Sequence, residues 1–151
     1  MMSAVLNCNI SFIGGGNMAQ ALIGGLIARG LPSTRITVSD PVEKVRELLT
    51  EKDVHVTDDN LVAIRDADIV VFAVKPQVLA SVLKPLKGLF EGKLVISIVA
   101  GAEINTLAQL LETQRIVRVM PNTPALVQTG AHGLFANDDV NAQDRELASQ
   151  V

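Results

Sequence analysis

A chain of 151 residues is long enough for one domain with a sizeable core. Its net charge of −3 argues against a nucleic-acid footprint. With 48% apolar residues but no Trp, no Tyr and four Phe, the core must be built from Val, Ile, Leu and Ala, which suits a buried parallel sheet.

Strand-like and helix-like segments alternate along the chain. Ile10–Ile13 reads as the first strand. Asn17 to Arg29 reads as a helix, with Met18, Leu22 and Leu26 along one side and Gly30 as its stop. Ile36–Ser39 is a second strand, and Pro41 opens a helix carrying Val45, Leu48 and Leu49. Val54–Val56 is a short third strand, and Asn60 is placed to cap a short helix containing Leu61 and Ile64. Ile69–Val74 is an unbroken apolar run, the pattern of a strand buried on both faces. A helix follows Pro76, a strand runs over Leu94–Val99, and Glu103–Leu111 is helical. Ile116–Met120 is a sixth strand, with Gly133–Phe135 as an edge strand. This order predicts an α/β fold: a doubly wound, Rossmann-type, mostly parallel sheet with helices on both faces.

No apolar stretch is long enough to span a membrane. The start of the chain lacks the basic region and cleavage site of a signal peptide. The single cysteine, Cys8, excludes an intrachain disulfide, and a cytoplasmic setting is expected. No residues have metal-ligand spacing. Residues 1–140 are expected to form the dinucleotide-binding domain. Asn141–Asp144 resembles a helix start, and that helix carries Leu147 and Val151 up to the last residue, as in a piece of a longer protein.

The chemistry concentrates where strands end. After Ile13 come Gly14, Gly15, Gly16, Asn17, Met18 and Ala19, a G-x-G-x-x-A fingerprint between a strand and a helix. Gly14 makes the tight turn, Gly16 lets the backbone approach a diphosphate, and Ala19 lets the helix pack on the strand. The helix then offers free N–H groups and its positive dipole end to an anion. Asp40 follows the second strand, where an acid bonds the ribose hydroxyls of NAD and repels the 2′-phosphate of NADP. It is equally placed to cap the next helix. Ser39, Lys44 and Arg46 offset its charge in part.

Ala73, Val74, Lys75 and Pro76 follow the fourth strand, with Lys75 either a surface charge or a fixed cation in the cleft. Ile98, Val99 and Ala100 lead into Gly101, small enough for a flat ring to lie against or for close helix packing. Met120-Pro-Asn-Thr-Pro124 forms a rigid loop holding Asn122 and Thr123. His55 and His132 have no evident acid or nucleophile partner and read as structural. Asp66 and Asp68 read as turn residues before the fourth strand.

Four segments together resemble the pyrroline-5-carboxylate reductase family: Phe12–Ala19, Ala73–Gln77, Ser97–Gly101 and Arg118–Pro124. The resemblance implies hydride transfer from NADPH or NADH to the C=N bond of 1-pyrroline-5-carboxylate, giving L-proline. It implies that Ile13 to Met18 hold the diphosphate, with Asp40 beside the adenosine ribose and Asn60 near the adenosine half. Ala73 to Pro76 and Ile98 to Ala100 would line the nicotinamide, and Asn122 and Thr123 would lie beside the reacting ring.

The family also has a second, helical domain that dimerises and completes the substrate site, and it lies beyond Val151. No residue of this segment is nominated as a catalytic acid or base. Two other readings stay open: a related NAD(P)-dependent reductase, and a non-catalytic nucleotide-binding module. Asp40 departs from the neutral residue common in the family and leaves the choice of NADP or NAD open. Asp40→Ser is expected to shift relative affinity toward NADPH, and unchanged relative affinities would refute that role.

Overall fold

A computed structural model describes residues 8–99, 104–113, 115–120 and 133–136. Seven strands form one sheet: β1 Ile10–Ile13, β2 Ile36–Ser39, β3 His55–Thr57, β4 Ile69–Phe72, β5 Leu94–Ser97, β6 Ile116–Met120 and β7 Gly133–Ala136. Their order is β3-β2-β1-β4-β5-β6-β7. The first six run parallel and β7 pairs antiparallel with β6. The helices are α1 Asn17–Ala28, α2 Glu43–Thr50, α3 Asn60–Ile64, α4 Pro76–Leu83 and α5 Ile104–Leu111. This is the doubly wound architecture expected from the alternating pattern, with the order reversal between β1 and β4.

Every residue of β1, β4 and β5 is buried, which is why those strands read as near-continuous apolar runs. One sheet face carries Ile10, Phe12, Ile36, Val38, Ile69 and Val71 and packs on Ala19, Ile23 and Leu26 of α1 and Leu49 of α2. The other carries Ile13, Val70, Phe72 and Val95 beneath Ile64, Leu79, Leu83, Leu107 and Leu111 of α3, α4 and α5. On that second face β1 and β2 also present Ser11 and Thr37, which are register partners. Ser11 is buried there and its hydroxyl donates to the Ala63 carbonyl of α3.

Several boundaries differ from expectation for identifiable reasons. Helix α1 buries Ala19, Ile23 and Leu26, while Met18 is 46% exposed, so the inward stripe is rotated one residue from the Met18–Leu22–Leu26 line. The small Ala19 is what lets the helix approach the sheet. Helix α2 begins at Glu43 rather than at Pro41, because the Asp40 side chain takes the Val42 N–H in a turn. Strand β3 is shifted to His55–Thr57. Asn60 does not cap α3: Asp59 does, its Oδ1 accepting the Leu61 N–H at 2.9 Å. The strand expected over Ile69–Val74 ends at Phe72, and the one over Leu94–Val99 ends at Ser97. The helix proposed from Asn141 lies outside the described residues.

Asp66 and Asp68 do shape the approach to β4. Asp68 Oδ2 accepts the Asn9 N–H at 2.8 Å, and Asn9 Nδ2 donates to the Asp66 carbonyl at 3.3 Å. His55 lies exposed on β3. Among the described residues no group of His, Cys, Asp and Glu could hold a metal ion, and no helix is long and apolar enough to cross a membrane.

The fully buried Phe72 ring meets Phe90 at a centroid distance of 5.9 Å. Phe72→Ala is expected to lower unfolding free energy by about 3–5 kcal/mol in denaturant titration. A loss below about 1 kcal/mol would mean that this side of the core is not packed as described.

Candidate dinucleotide site

The carboxyl ends of the parallel strands are stitched together by backbone hydrogen bonds. Gly14 N–H donates to the Ser39 carbonyl at 2.8 Å, Ala73 N–H to Ile13 at 2.9 Å, and Ile98 N–H to Phe72 at 3.1 Å. Asp40 N–H donates to Thr57 at 3.0 Å. The residues following β1, β2, β3, β4 and β5 are thereby held along one edge of the sheet.

Three consecutive glycines meet three different constraints. Gly14 has φ +103°, and a Cβ there would lie 2.7 Å from the Ala73 carbonyl oxygen. The turn after β1 therefore excludes any side chain, both by conformation and by space. A Cβ on Gly15 would lie 2.8 Å from Leu49 Cδ1, 2.9 Å from Val45 Cγ1 and 3.1 Å from Val38 Cγ1. Gly15 thus lets α2 and β2 close on the loop, a role the fingerprint does not reveal. Gly16 is exposed, and a Cβ there would meet no atom within 4 Å. Its bareness serves no packing and leaves an open approach to the backbone.

Gly16 is also the residue that precedes α1. It supplies no side-chain cap, and the first turn of the helix carries no acidic residue. The leading N–H groups of a 12-residue helix thus have neither a side-chain cap nor an acidic residue in the first turn to take their partial positive charge. Gln20 Nε2 donates to the Gly15 carbonyl at 2.9 Å and satisfies that oxygen within the loop. This combination of a bare approach and uncapped donors fits a diphosphate.

Asp40 is 9% exposed, and both its carboxylate oxygens are used. Oδ2 accepts the Gly15 N–H at 2.9 Å and Oδ1 accepts the Val42 N–H at 2.8 Å. The expected capping role is therefore realised as a turn bond to Val42, and the bond to Gly15 was not foreseen. Ser39 is buried and its hydroxyl donates to Asn60 Oδ1, which brings Asn60 to the end of β2. Arg46 Nη1 donates to the Asp40 carbonyl at 2.8 Å.

The remaining expected residues fall on the same edge. Ile13 and Val99 are buried, Ala73, Val74 and Ile98 are half-buried, and Asn17, Met18, Lys75 and Pro76 are exposed. Lys75 precedes α4 with Pro76 at the first helical position. Ser97 Oγ accepts the Val99 N–H at 3.3 Å and shapes the segment after β5. Ala100, Asn122 and Thr123 lie outside the described residues. A cavity of about 220 Å³, bordered by Asn9, Arg35, Thr37, His55 and Asp66, lies at the opposite, amino end of β1 and β2. It is remote from the glycine loop.

The sheet order and the glycine turn define the class: a Rossmann-type dinucleotide-binding domain. The chain belongs to the family described as NADP oxidoreductase, coenzyme F420-dependent, which matches residues 9–101. It is 45% identical over 146 residues to a pyrroline-5-carboxylate reductase of Vibrio alginolyticus, covering 94% of this chain and 53% of the relative. A solved pyrroline-5-carboxylate reductase from Coxiella burnetii superposes with a TM-score of 0.85 at 42% identity, covering 93% of this chain and 54% of the other. The Plasmodium falciparum pyrroline carboxylate reductase, solved with NADP bound, gives a TM-score of 0.77 at 30% identity over 95% of this chain and 55% of that one. The chain spans about half the length of the curated relatives it matches.

The glycines separate folding from binding. Gly16→Ala is expected to cost no more than about 1 kcal/mol of stability, since only the helix cap is affected. Its dinucleotide affinity is expected to fall about tenfold, measured by nicotinamide fluorescence titration. Gly15→Ala should instead destabilise the fold by about 1–3 kcal/mol through overpacking. Equal effects of the two substitutions on stability would remove the distinction.

Proposed function

We propose that this chain is the cofactor-binding part of a pyrroline-5-carboxylate reductase. In this reading, Ile13 to Met18 hold the diphosphate of NADP or NAD, Asp40 and Asn60 take the adenosine side, and Ala73 to Pro76 with Ile98 to Ala100 line the nicotinamide. The observation that carries it is the uncapped start of α1 above an open Gly16, at the edge where the other strand ends meet. The similarity to named reductases over 94% of the chain supports the choice of substrate.

When bound, the reduced nicotinamide supplies the hydride for the C=N carbon of 1-pyrroline-5-carboxylate. This chain's own part is placement. Closed packing at Gly14 and Gly15 fixes the loop, and the helix start neutralises the diphosphate. The backbone after β4 and β5 forms a wall against which a flat ring can rest. A protonated cyclic imine is already electrophilic, so no nucleophile is needed from this segment. In the same reading Asn122 and Thr123 lie beside the reacting ring.

Substrate capture and association into a homodimer or larger homo-oligomer belong, in the same reading, to a helical domain following residue 151. The setting is the cytoplasm.

The test is turnover of 1-pyrroline-5-carboxylate by the protein that carries this chain, with NADH and with NADPH. L-proline formed in equal amount to cofactor oxidised is the expected result. A folded protein that binds the cofactor but makes no proline would reject this substrate and favour a related reductase or a nucleotide-binding module.

A further inference from the structure

A polar row crosses the second face of the sheet near its amino end. Ser11 is the register partner of Thr37, and Thr37 of His55, so the three side chains stand side by side on β1, β2 and β3. Ile36 and Val38 beside Thr37, and Val54 and Val56 beside His55, pack on the opposite face. The row stops at β4, where the residue in register with Ser11 is the buried Val70. It runs from the buried Ser11 through the half-buried Thr37 to the exposed His55. Helix α3, with only five residues, leaves part of it uncovered, and the cavity of about 220 Å³ lies there.

Two residues of opposite charge, Arg35 and Asp66, border the same cavity. The Asn9 side chain joins them. Its Oδ1 accepts from Arg35 Nη1 at 3.4 Å, and its Nδ2 donates to the Asp66 carbonyl at 3.3 Å. The second bond uses the Asp66 backbone and leaves the carboxylate out of it. Ser11 donates its proton to the Ala63 carbonyl and keeps its oxygen lone pairs. Among the described residues, the Thr37 hydroxyl and the His55 ring make no hydrogen bond.

We propose that this cleft is a second ligand site, one that takes a small zwitterion of the α-amino acid type. It does not rest on the dinucleotide reading. Ser11 and Gly14 are separated along β1 by about 10 Å at the rise of a strand, so a small ligand over Ser11 does not reach the glycine loop.

Charge complementarity sets the ligand class. A simple anion would meet Arg35 favourably but Asp66 unfavourably, and a simple cation the reverse. A molecule with a carboxylate at one end and an ammonium at the other satisfies both walls. Its carboxylate accepts from Arg35 and from the Thr37 hydroxyl. Its ammonium donates to the Asp66 carboxylate and to the Ser11 oxygen. Pockets for drug-sized molecules span about 300–1,000 Å³, so this smaller cavity suits a ligand of few heavy atoms.

The test uses the protein carrying this chain with ¹³C-labelled histidines. The His55 ring signal is assigned by its loss in His55→Gln. Glycine, acetate and methylammonium are titrated in turn at fixed pH and ionic strength. They are close in size and differ in which charges they carry. A saturable movement of the His55 signal is expected with glycine, at an affinity at least about threefold above either single-charge analogue. Thr37→Val keeps the shape and removes the hydroxyl, and is expected to weaken glycine about fivefold. Asp66→Asn should bring glycine down to the affinity of acetate. Thermal melts establish that each variant is folded, and if one is not, the other decides.

No saturable movement with glycine would overturn the site, leaving a cleft that holds water. Acetate binding as tightly as glycine would overturn the zwitterion. Glycine binding unchanged in both variants would overturn its placement in this cleft. NADH affinity, read by nicotinamide fluorescence on the same samples, is expected to be the same in both variants as in the wild type. A wild type that binds glycine but no NADH would reject the dinucleotide reading and leave this site standing.

Discussion

The closeness of the β1 turn to the β4 backbone is the constraint on which the rest of this domain depends. A Cβ on Gly14 would stand 2.7 Å from the Ala73 carbonyl oxygen, nearer than real atoms approach. Because the turn is that tight, Ile13 and Ala73 can share a backbone bond just past the ladder, and β1 and β4 finish level. Level strand ends give a ligand a floor made of peptide groups. The same turn sends the chain upward into α1, whose buried Ala19 continues the close approach on the opposite face.

The site is consequently built more from backbone than from side chains. In the proposed reading its donors are amides at the start of α1, and its walls are the segments that follow β4 and β5. Side chains serve chiefly to hold those amides still. Asp40 and Gln20 grip the two polar groups of Gly15, Ser39 positions Asn60, and Ser97 takes the Val99 N–H. Such a site leaves few reactive groups in sequence view, and its chemistry is that of the cofactor it orients.

Much of this was legible because sheet burial writes itself into composition. Strand β4, covered on both faces, appears as an unbroken apolar run, and β5 as one interrupted only by Ser97. The runs also misled: Val74 and Val99 are apolar but lie past the last ladder residue, since a lining residue and a strand residue can be equally greasy. On α1 the fingerprint puts Ala19 against the strand, where it is buried, while of the Met18–Leu22–Leu26 stripe only Leu26 is fully buried and Ile23 takes the place between them. Two features had no sequence signal. Gly15 looked like a spacer in the fingerprint, and only the arrival of Val38, Val45 and Leu49 shows why it cannot carry a side chain. The bond from Gly15 to Asp40 joins residues 25 positions apart, and no local rule links them. Asn60 was placed near the site for its family position, yet its cap role passes to Asp59 because the helix begins one residue earlier in its hydrogen bonding.

The strand order also has a consequence for the birth of the domain. β1 comes before the other described strands in the chain, yet it sits in the middle of the parallel sheet, between β2 and β4. During synthesis it acquires β2 early, but its other flank stays unpaired until Ile69–Phe72 has left the ribosome. For all that time a mostly apolar strand edge is open to solvent and to other chains, and non-local parallel pairing closes slowly. The glycine loop cannot take its final shape before then, because Ala73, which defines its limit, has not arrived. Recognition of a nucleotide by this half of the domain is therefore a late event in its folding, although the glycine loop is made well before Ala73.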